Sequence, residues 1–322
     1  MAELIEITPI TEGPQKGILK VAFNMHYGQA ELWNRKERFV LGSAGAQSGK
    51  TGIAALWLWR EIGNAGECHV EGEADYMVAS ATYDLLESKL LPAMKRVFCE
   101  IAWPQQDGKT PRPWGKFDAG RNRIRSYHDR SRIVFRSGEN PESLESMTGR
   151  AAVLDEFGQS RVPIGSWEAV QRRLSVNQGR ALIITTPYEL GWLYQQVYKR
   201  AKGGDPDYAV VTWPSIANPN FPREEYERAK RTLPAWKFDM FYNGLFTRPA
   251  GLIYSDYEDD YRPKGHLVKP FTIPAHWPRY VGVDFGGTEH TALTWWAEEM
   301  TEGDNPQPTG CYIAYREALG GG

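Results

Sequence analysis

Cysteine is scarce in this chain: Cys68, Cys99 and Cys311 are scattered and lack metal-ligand spacing. That excludes a disulfide framework or a zinc cluster, and it predicts reduced, buried thiols of an intracellular protein. Excess charge is missing too. Lys and Arg number 38 against 40 Asp and Glu, for a net charge of −2. No global basic field therefore marks a nucleic-acid partner, and any such partner must be held by a local patch. No run approaches the roughly 18 apolar residues of a membrane helix, and the N-terminus has no basic segment followed by an apolar one. The expectation is a soluble protein that is not secreted. Its 12 tryptophans are dispersed and form no repeat. At 322 residues the chain can bury a sizeable core, as one large domain or a domain plus part of another.

The organising stretch is Val40-Leu41-Gly42-Ser43-Ala44-Gly45-Ala46-Gln47-Ser48-Gly49-Lys50-Thr51. An apolar strand leads into a loop of small residues, and Ile53, Ala54, Ala55, Leu56 and Leu58 follow at helical spacing. Strand, loop and helix in that order are the context of a phosphate-binding P-loop, running here from Ala44 to Thr51. Small residues let backbone N–H groups wrap phosphates, and the helix N-terminus adds its own donors. Lys50 is expected to reach the β- and γ-phosphates of ATP, and the Thr51 hydroxyl to hold Mg²⁺. Ala44 stands where the pattern has glycine, a mild departure, since alanine permits close approach but disfavours positive φ.

A second apolar strand, Ala151 to Leu154, ends in Asp155-Glu156. In a parallel sheet that end lies beside the P-loop. Asp155 would hold Mg²⁺ through its water shell, and Glu156 would orient the attacking water. A third buried strand, Arg180 to Ile184, ends in Thr185-Thr186-Pro187. Hydroxyls there can sense the γ-phosphate and pass on its loss; a plain strand stopped by proline is the alternative. Gln29 in Tyr27-Gly28-Gln29 precedes the P-loop. An amide can donate to and accept from an adenine edge at once, although a surface glutamine at a helix start fits the spacing equally well. From Lys109 to Arg136 nine Lys/Arg face two Asp. This basic hairpin either touches phosphates or is a solvated edge that discourages strand pairing.

Helices are expected over 85–97, 167–174, 191–202, 223–233 and 236–246, and a strand over 208–213. Residues 99–122 read as irregular. Composition divides the chain into a P-loop ATPase domain (1–247), a Pro-, Gly- and acid-rich linker (248–278) and a new β pattern (279–322). In the last, Val281-Gly282-Val283-Asp284 leads into Gly286-Gly287 and further strands. An aspartate on a first strand followed by a β-meander opens an RNase H-like fold, with Asp284 as the first carboxylate of a two-metal site.

Together these residues resemble the large terminase subunit of tailed bacteriophages. The likeness runs through the P-loop, Leu154-Asp155-Glu156, Thr185-Thr186-Pro187, Gly191-Trp192-Leu193-Tyr194, Asn218-Pro219, Gly244-Leu245-Phe246 and Val281-Gly282-Val283-Asp284. It implies an α/β fold: a RecA/ASCE-like P-loop NTPase with a mostly parallel sheet flanked by helices, then the start of an RNase H-like nuclease domain. It further implies a viral DNA-packaging ATPase that moves double-stranded DNA into a procapsid. ATP and Mg²⁺ are the expected cofactors, with Mg²⁺ or Mn²⁺ for a complete nuclease. The implied partners are double-stranded DNA, the small terminase subunit and the portal of the procapsid. A homo-oligomeric ring on assembly, a monomer in isolation and a place in the host cytoplasm, away from membranes, complete the picture. By resemblance Glu156 is catalytic, Thr185-Thr186-Pro187 couples hydrolysis to movement, and Asp284 binds a nuclease metal.

Two departures stand out. Many relatives have an arginine inside the P-loop, where this chain has Ala46-Gln47. The strands that would complete the nuclease site are not in the sequence, which predicts a fragment without nuclease activity. For the missing cation Arg150, just before the Asp-Glu strand, is the first candidate, acting from a neighbouring subunit, with Arg130 and Arg132 behind it. A strand-entry residue paired to a surface acid is the other reading of Arg150. Two further functions compete: a P-loop helicase or DNA-remodelling ATPase outside packaging, and a nucleotide-dependent assembly factor. The first needs helicase motifs in a second RecA-like domain, and none is visible. The second needs no positioned base such as Glu156.

Overall fold

A computed structural model describes residues 4–9, 19–71, 75–104, 110–247, 260–263, 265–284 and 291–320. It divides into two compact units, Met1–Ile253 and Tyr254–Gly322.

In the first unit an antiparallel pair, β1 (Ile5–Pro9) and β2 (Leu19–Phe23), precedes helix α1 (Tyr27–Asn34). The main elements that follow are β3 (Phe39–Ala44), α2 (Lys50–Ala65), β4 (Asp75–Ser80), a helical stretch over 83–100, β5 (Gly115–Asp118), β6 (Arg123–Ser126), β7 (Arg132–Ser137), β8 (Gly149–Asp155), helix Ile164–Leu174, β9 (Arg180–Thr185), a helical stretch over 194–202, β10 (Tyr208–Trp213) and helices Arg223–Thr232 and Ala235–Phe241. Eight strands form one sheet in the order β10-β3-β9-β8-β4-β7-β6-β5. All neighbours from β10 to β7 are parallel, and β6 and β5 add an antiparallel edge.

The burial pattern explains the layers. β3, β4 and β9 are apolar runs buried nearly end to end, the signature of strands covered on both faces. Alternate residues feed two cores: Val40, Val78, Val153 and Leu182 pack with α2 on one face, and Leu41, Met77, Leu154 and Ile183 with helix Ile164–Leu174 on the other. Within α2, Ile53, Ala54, Leu56, Trp57 and Leu58 are all fully buried. Each large apolar side chain so removed from water contributes on the order of 1.5–3 kcal/mol.

β9 lies between β3 and β8, so the strand that feeds the small-residue loop and the strand ending in Asp155 do not touch directly. The register pairs Ser43 with Thr185 and Asp155 with both Ile184 and Ser80, which lines up all four strand ends at one edge of the sheet. Helix α2 leaves from that edge.

Three elements differ from the sequence reading. β1 and β2 are too short to show a convincing alternation. β5 lies inside the stretch read as irregular. The basic hairpin is interrupted by a 3₁₀ turn at Ala119–Arg121, and Arg123 and Arg125 of β6 converge with Arg132 on Glu71. Among the described residues no helix is long and apolar enough to cross a membrane.

In the second unit, β11 (Arg279–Asp284), β12 (Thr291–Met300) and β13 (Pro308–Gly320) form an antiparallel sheet in that order. Phe285, Gly286 and Gly287, and Asp256, Glu258 and Asp259 of the acidic cluster, lie outside the described residues. Of the cysteines, Cys68 is buried, Cys99 and Cys311 are half-buried, and all three are free thiols.

Candidate nucleotide site

Between β3 and α2 the loop is gripped from behind by its carbonyls. Lys50 Nζ folds back on Ala44 O (3.2 Å) and Gly45 O (2.9 Å), and Ser215 Oγ donates to Ala46 O at 2.6 Å. Asn218 Nδ2 donates to Gln47 O, Trp213 Nε1 and His26 Nε2 to Ser48 O, and Gln29 Nε2 to Gly49 O. With the carbonyls engaged on one side, the N–H groups of Gln47, Ser48 and Gly49 remain for the cavity on the other. Gln47 and Gly49 both have positive φ, the alternation that makes a concave anion-binding nest. At Gly49, with φ of 84°, a Cβ would stand 2.7 Å from Gln29 Nε2. At Gly45 it would stand 2.3 Å from Tyr242 O, where backbone cannot yield.

That cavity, about 320 Å³, is lined by loop residues together with Thr51, Lys89, Asp155, Glu156 and Asn218. Lys50 and Asp155 are buried, and burial lowers the pKa of Lys50 and raises that of Asp155; the adjoining Glu156 carboxylate raises Asp155 further. Among the described residues Asp155 Oδ2 has no hydrogen-bond partner. Glu156 sits in the left-handed region at φ 53°, a conformation that costs a non-glycine residue energy and recurs at functional sites. Its Oε2 accepts from Thr185 Oγ1 (3.1 Å) and from Thr186 N–H (3.2 Å). Thr186 Oγ1 in turn accepts from Lys50 Nζ at 2.9 Å. Pro187 follows, buried. Tyr188 is a further neighbour of Glu156: burial, and then the charge of that carboxylate, push its phenol up to about 12.

Lys50, Thr51, Asp155, Glu156, Thr185 and Thr186 thus meet at one strand edge. Gln29 and Arg150 do not join them. Gln29 is buried behind the loop, where its Oε1 accepts from His26 N–H and its amide N–H holds Gly49 O. Arg150 stands at the entry of β8 and donates to Ala65 O and Gly66 O at the far end of α2, roughly 24 Å of helix from Lys50. Arg132 is tied to Asp75 and Glu71, and Arg130 N–H to Cys68 O. Asp284 ends β11, exposed. Among the described residues no cluster of three His, Cys, Asp or Glu is placed to hold a metal.

Two contributors escape a sequence reading. His26 caps α1: its Nδ1 accepts from the N–H groups of Gly28 and Gln29, while Nε2 holds Ser48 O. Histidine is not a usual cap residue, so the pattern gives no cue. Lys89 lies on a turn that sequence places only as helix.

The parallel sheet, the loop gripped from behind and the Asp-Glu strand one position removed define a P-loop NTPase of the RecA-like class. No family model matches the chain. The large terminase subunit of Thermus virus P23-45 is 27% identical over 170 residues, 47% of this chain and 34% of that protein. The matched region is therefore about a third of the length of that relative. The large terminase ATPase domain of Thermus phage P74-26 superposes with a TM-score of 0.53 at 22% identity, covering 70% of this chain and 95% of that one. The large terminase of bacteriophage D6E in complex with ATP-gamma-S gives 0.56 at 15% identity, over 91% of this chain and 67% of that one. Over the matched residues the chain is similar in sequence to large terminase subunits of Thermus phages, and its fold is similar to that of large terminase ATPase domains.

Proposed function

We propose that this chain hydrolyses ATP as the motor of a phage DNA-packaging machine and couples hydrolysis to translocation of double-stranded DNA into a procapsid. The observation that carries the reading is Thr186, which touches Lys50 of the phosphate loop through its hydroxyl and Glu156 through its N–H. A group that contacts both the phosphate-binding lysine and the water-positioning carboxylate is suited to report the presence of a γ-phosphate.

In this reading the N–H groups of Gln47, Ser48, Gly49 and Lys50 hold the phosphates of ATP, with Ala44, Gly45 and Ala46 shaping the turn. Asp155, with an unpartnered buried carboxylate oxygen, and the Thr51 hydroxyl on the same cavity suit Mg²⁺ held partly through water. Bound there, Mg²⁺ would neutralise phosphate oxygens. Glu156 orients water and takes its proton as the water oxygen bonds to the γ-phosphorus. The bond to the bridging oxygen breaks and its electron pair leaves with ADP. Thr185, Thr186 and Pro187 carry the change to the rest of the unit. Gln29 could meet an adenine edge only with the amide hydrogen and lone pair left over from its loop contacts. Arg150 could serve ATP only on a neighbouring subunit.

Residues 1–247 form the ATPase domain, 248–278 the linker and 279–322 part of an RNase H-like domain with Asp284 as a metal ligand. The partners are double-stranded DNA, a small terminase subunit and a portal, with assembly as a ring in the host cytoplasm. Substrate preference tests this against the helicase alternative. Blunt duplex DNA should stimulate ATP turnover more than single strands or forks, without strand separation. Preferential stimulation by forks, with unwinding, would favour the helicase reading.

A further inference from the structure

We propose that Lys89 is a catalytic cation of this site, meeting within the same subunit the charge that develops on the γ-phosphate. The inference rests on the ATP-hydrolysis reading and supplies what Ala46-Gln47 cannot. Lys89 lines the same cavity as Lys50, Thr51, Asp155 and Glu156. Its side chain is exposed and makes no hydrogen bond or ion pair with the described residues, so no local acid holds it elsewhere.

The local backbone explains how it gets there. Leu86–Leu90 is a π-helical turn, closed by Leu91 N–H donating to Leu86 O. Leu86 and Leu90 are both fully buried in the core shared with α2, which fixes the turn from below. The wider turn leaves Glu87, Ser88 and Lys89 outside that contact, with Lys89 over the cavity. Single π turns inside helices recur at functional sites because they re-aim side chains in this way.

Charge balance favours the same assignment. Lys50 Nζ belongs to the loop itself, lying on Ala44 O, Gly45 O and Thr186 Oγ1, whereas Lys89 reaches the cavity from a separate element. Lys89 is the second cation acting on Asp155, after Lys50. Arg150 caps the far end of α2, and Arg132 is paired with acids. A lysine is a compact point charge on a flexible stem, able to reach a phosphate oxygen without the fork geometry of arginine.

Lys89→Ala and Lys89→Arg test the proposal, with Lys50→Ala as reference. Lys89→Ala should lower kcat by about 10²–10³, the usual effect of losing one donor to developing negative charge, with KM changed only a few-fold. Calorimetric titration supplies a readout independent of turnover. Lys89→Ala should bind ADP as the parent does, and should bind ADP with aluminium fluoride, a mimic of the transferring phosphoryl group, far more weakly. Lys89→Arg should recover a large part of both. Parental kcat in Lys89→Ala, or equal weakening of ADP and of the mimic, overturns the role of Lys89 alone. No ATP turnover by the parent protein overturns the functional reading, and Lys89 with it.

Discussion

Lys50 and Thr186 stand 136 residues apart in sequence, yet Lys50 Nζ donates to Thr186 Oγ1 at 2.9 Å. The contact is possible because β9 is inserted beside β3, which brings the end of the Thr-Thr strand next to the loop. One hydrogen-bonded chain runs from Lys50 through Thr186 to Glu156, and in the proposed function hydrolysis and its detection would share it.

Thr186→Val keeps the shape and the N–H that holds Glu156, but removes the acceptor for Lys50. A hydrogen bond to a charged group is worth about 1.5–3 kcal/mol. Nucleotide affinity should change only a few-fold, because Lys50 keeps Ala44 O and Gly45 O, while stimulation of ATP turnover by duplex DNA should be lost. Stimulation equal to the parent's would remove Thr186 from the coupling path.

Gln29→Leu separates two roles for one side chain. As a brace, Gln29 holds Gly49 O and His26 N–H, and its loss should cost about 1–3 kcal/mol in stability and weaken ATP and GTP alike. As an adenine reader, it should weaken ATP selectively and leave GTP unchanged. Calorimetric titration with both nucleotides decides, and equal weakening is expected.

His26 makes the loop sensitive to acid. Burial lowers its pKa below 6.5, outweighing the hydrogen bond to Ser48 O, which acts the other way. The rings of Tyr27 and Trp213 flank it. Protonation would put a hydrogen on Nδ1, where the N–H groups of Gly28 and Gln29 now donate. A histidine with a depressed folded pKa contributes stability that is present above 6.5 and lost as pH falls through the folded value. The melting temperature should therefore drop below pH 6.5 more steeply in the parent than in His26→Asn, which keeps a capping oxygen. Parallel profiles would exclude His26.

Arg150→Ala should act on stability. The guanidinium closes the C-terminus of α2, where a cation also meets the negative end of the helix dipole. Roughly 1–2 kcal/mol should be lost, seen as a lower melting temperature, with kcat at saturating ATP unchanged. A fall of a hundredfold in kcat at an unchanged melting temperature would instead assign Arg150 to a neighbouring subunit's site.

Much of this site is legible in the sequence because apolar β strands with polar ends declare themselves. Val40–Gly42, Ala151–Leu154 and Arg180–Ile184 read as buried strands, and a parallel sheet forces Lys50, Asp155 and Thr186 to one edge. The helices were legible from their period, though the proline starts at Pro222 and Pro234 set their limits more sharply than the spacing did. What stayed hidden depends on contacts between distant segments. His26 and Gln29 are ordinary polar residues until α1 packs behind the loop. Lys89 is an ordinary surface lysine on a helix until one π turn shifts it over the cavity. Arg150 sits next to an informative motif in sequence, but at the wrong end of its strand.

The central claim is that Glu156 positions and deprotonates the water that attacks ATP. Single-turnover hydrolysis of radiolabelled ATP by Glu156→Ala, with binding measured on the same sample, tests it most directly. The account predicts ATP affinity within a few-fold of the parent and a chemical step slower by about 10²–10⁴. Glu156→Ala hydrolysing ATP at the parental rate would contradict it.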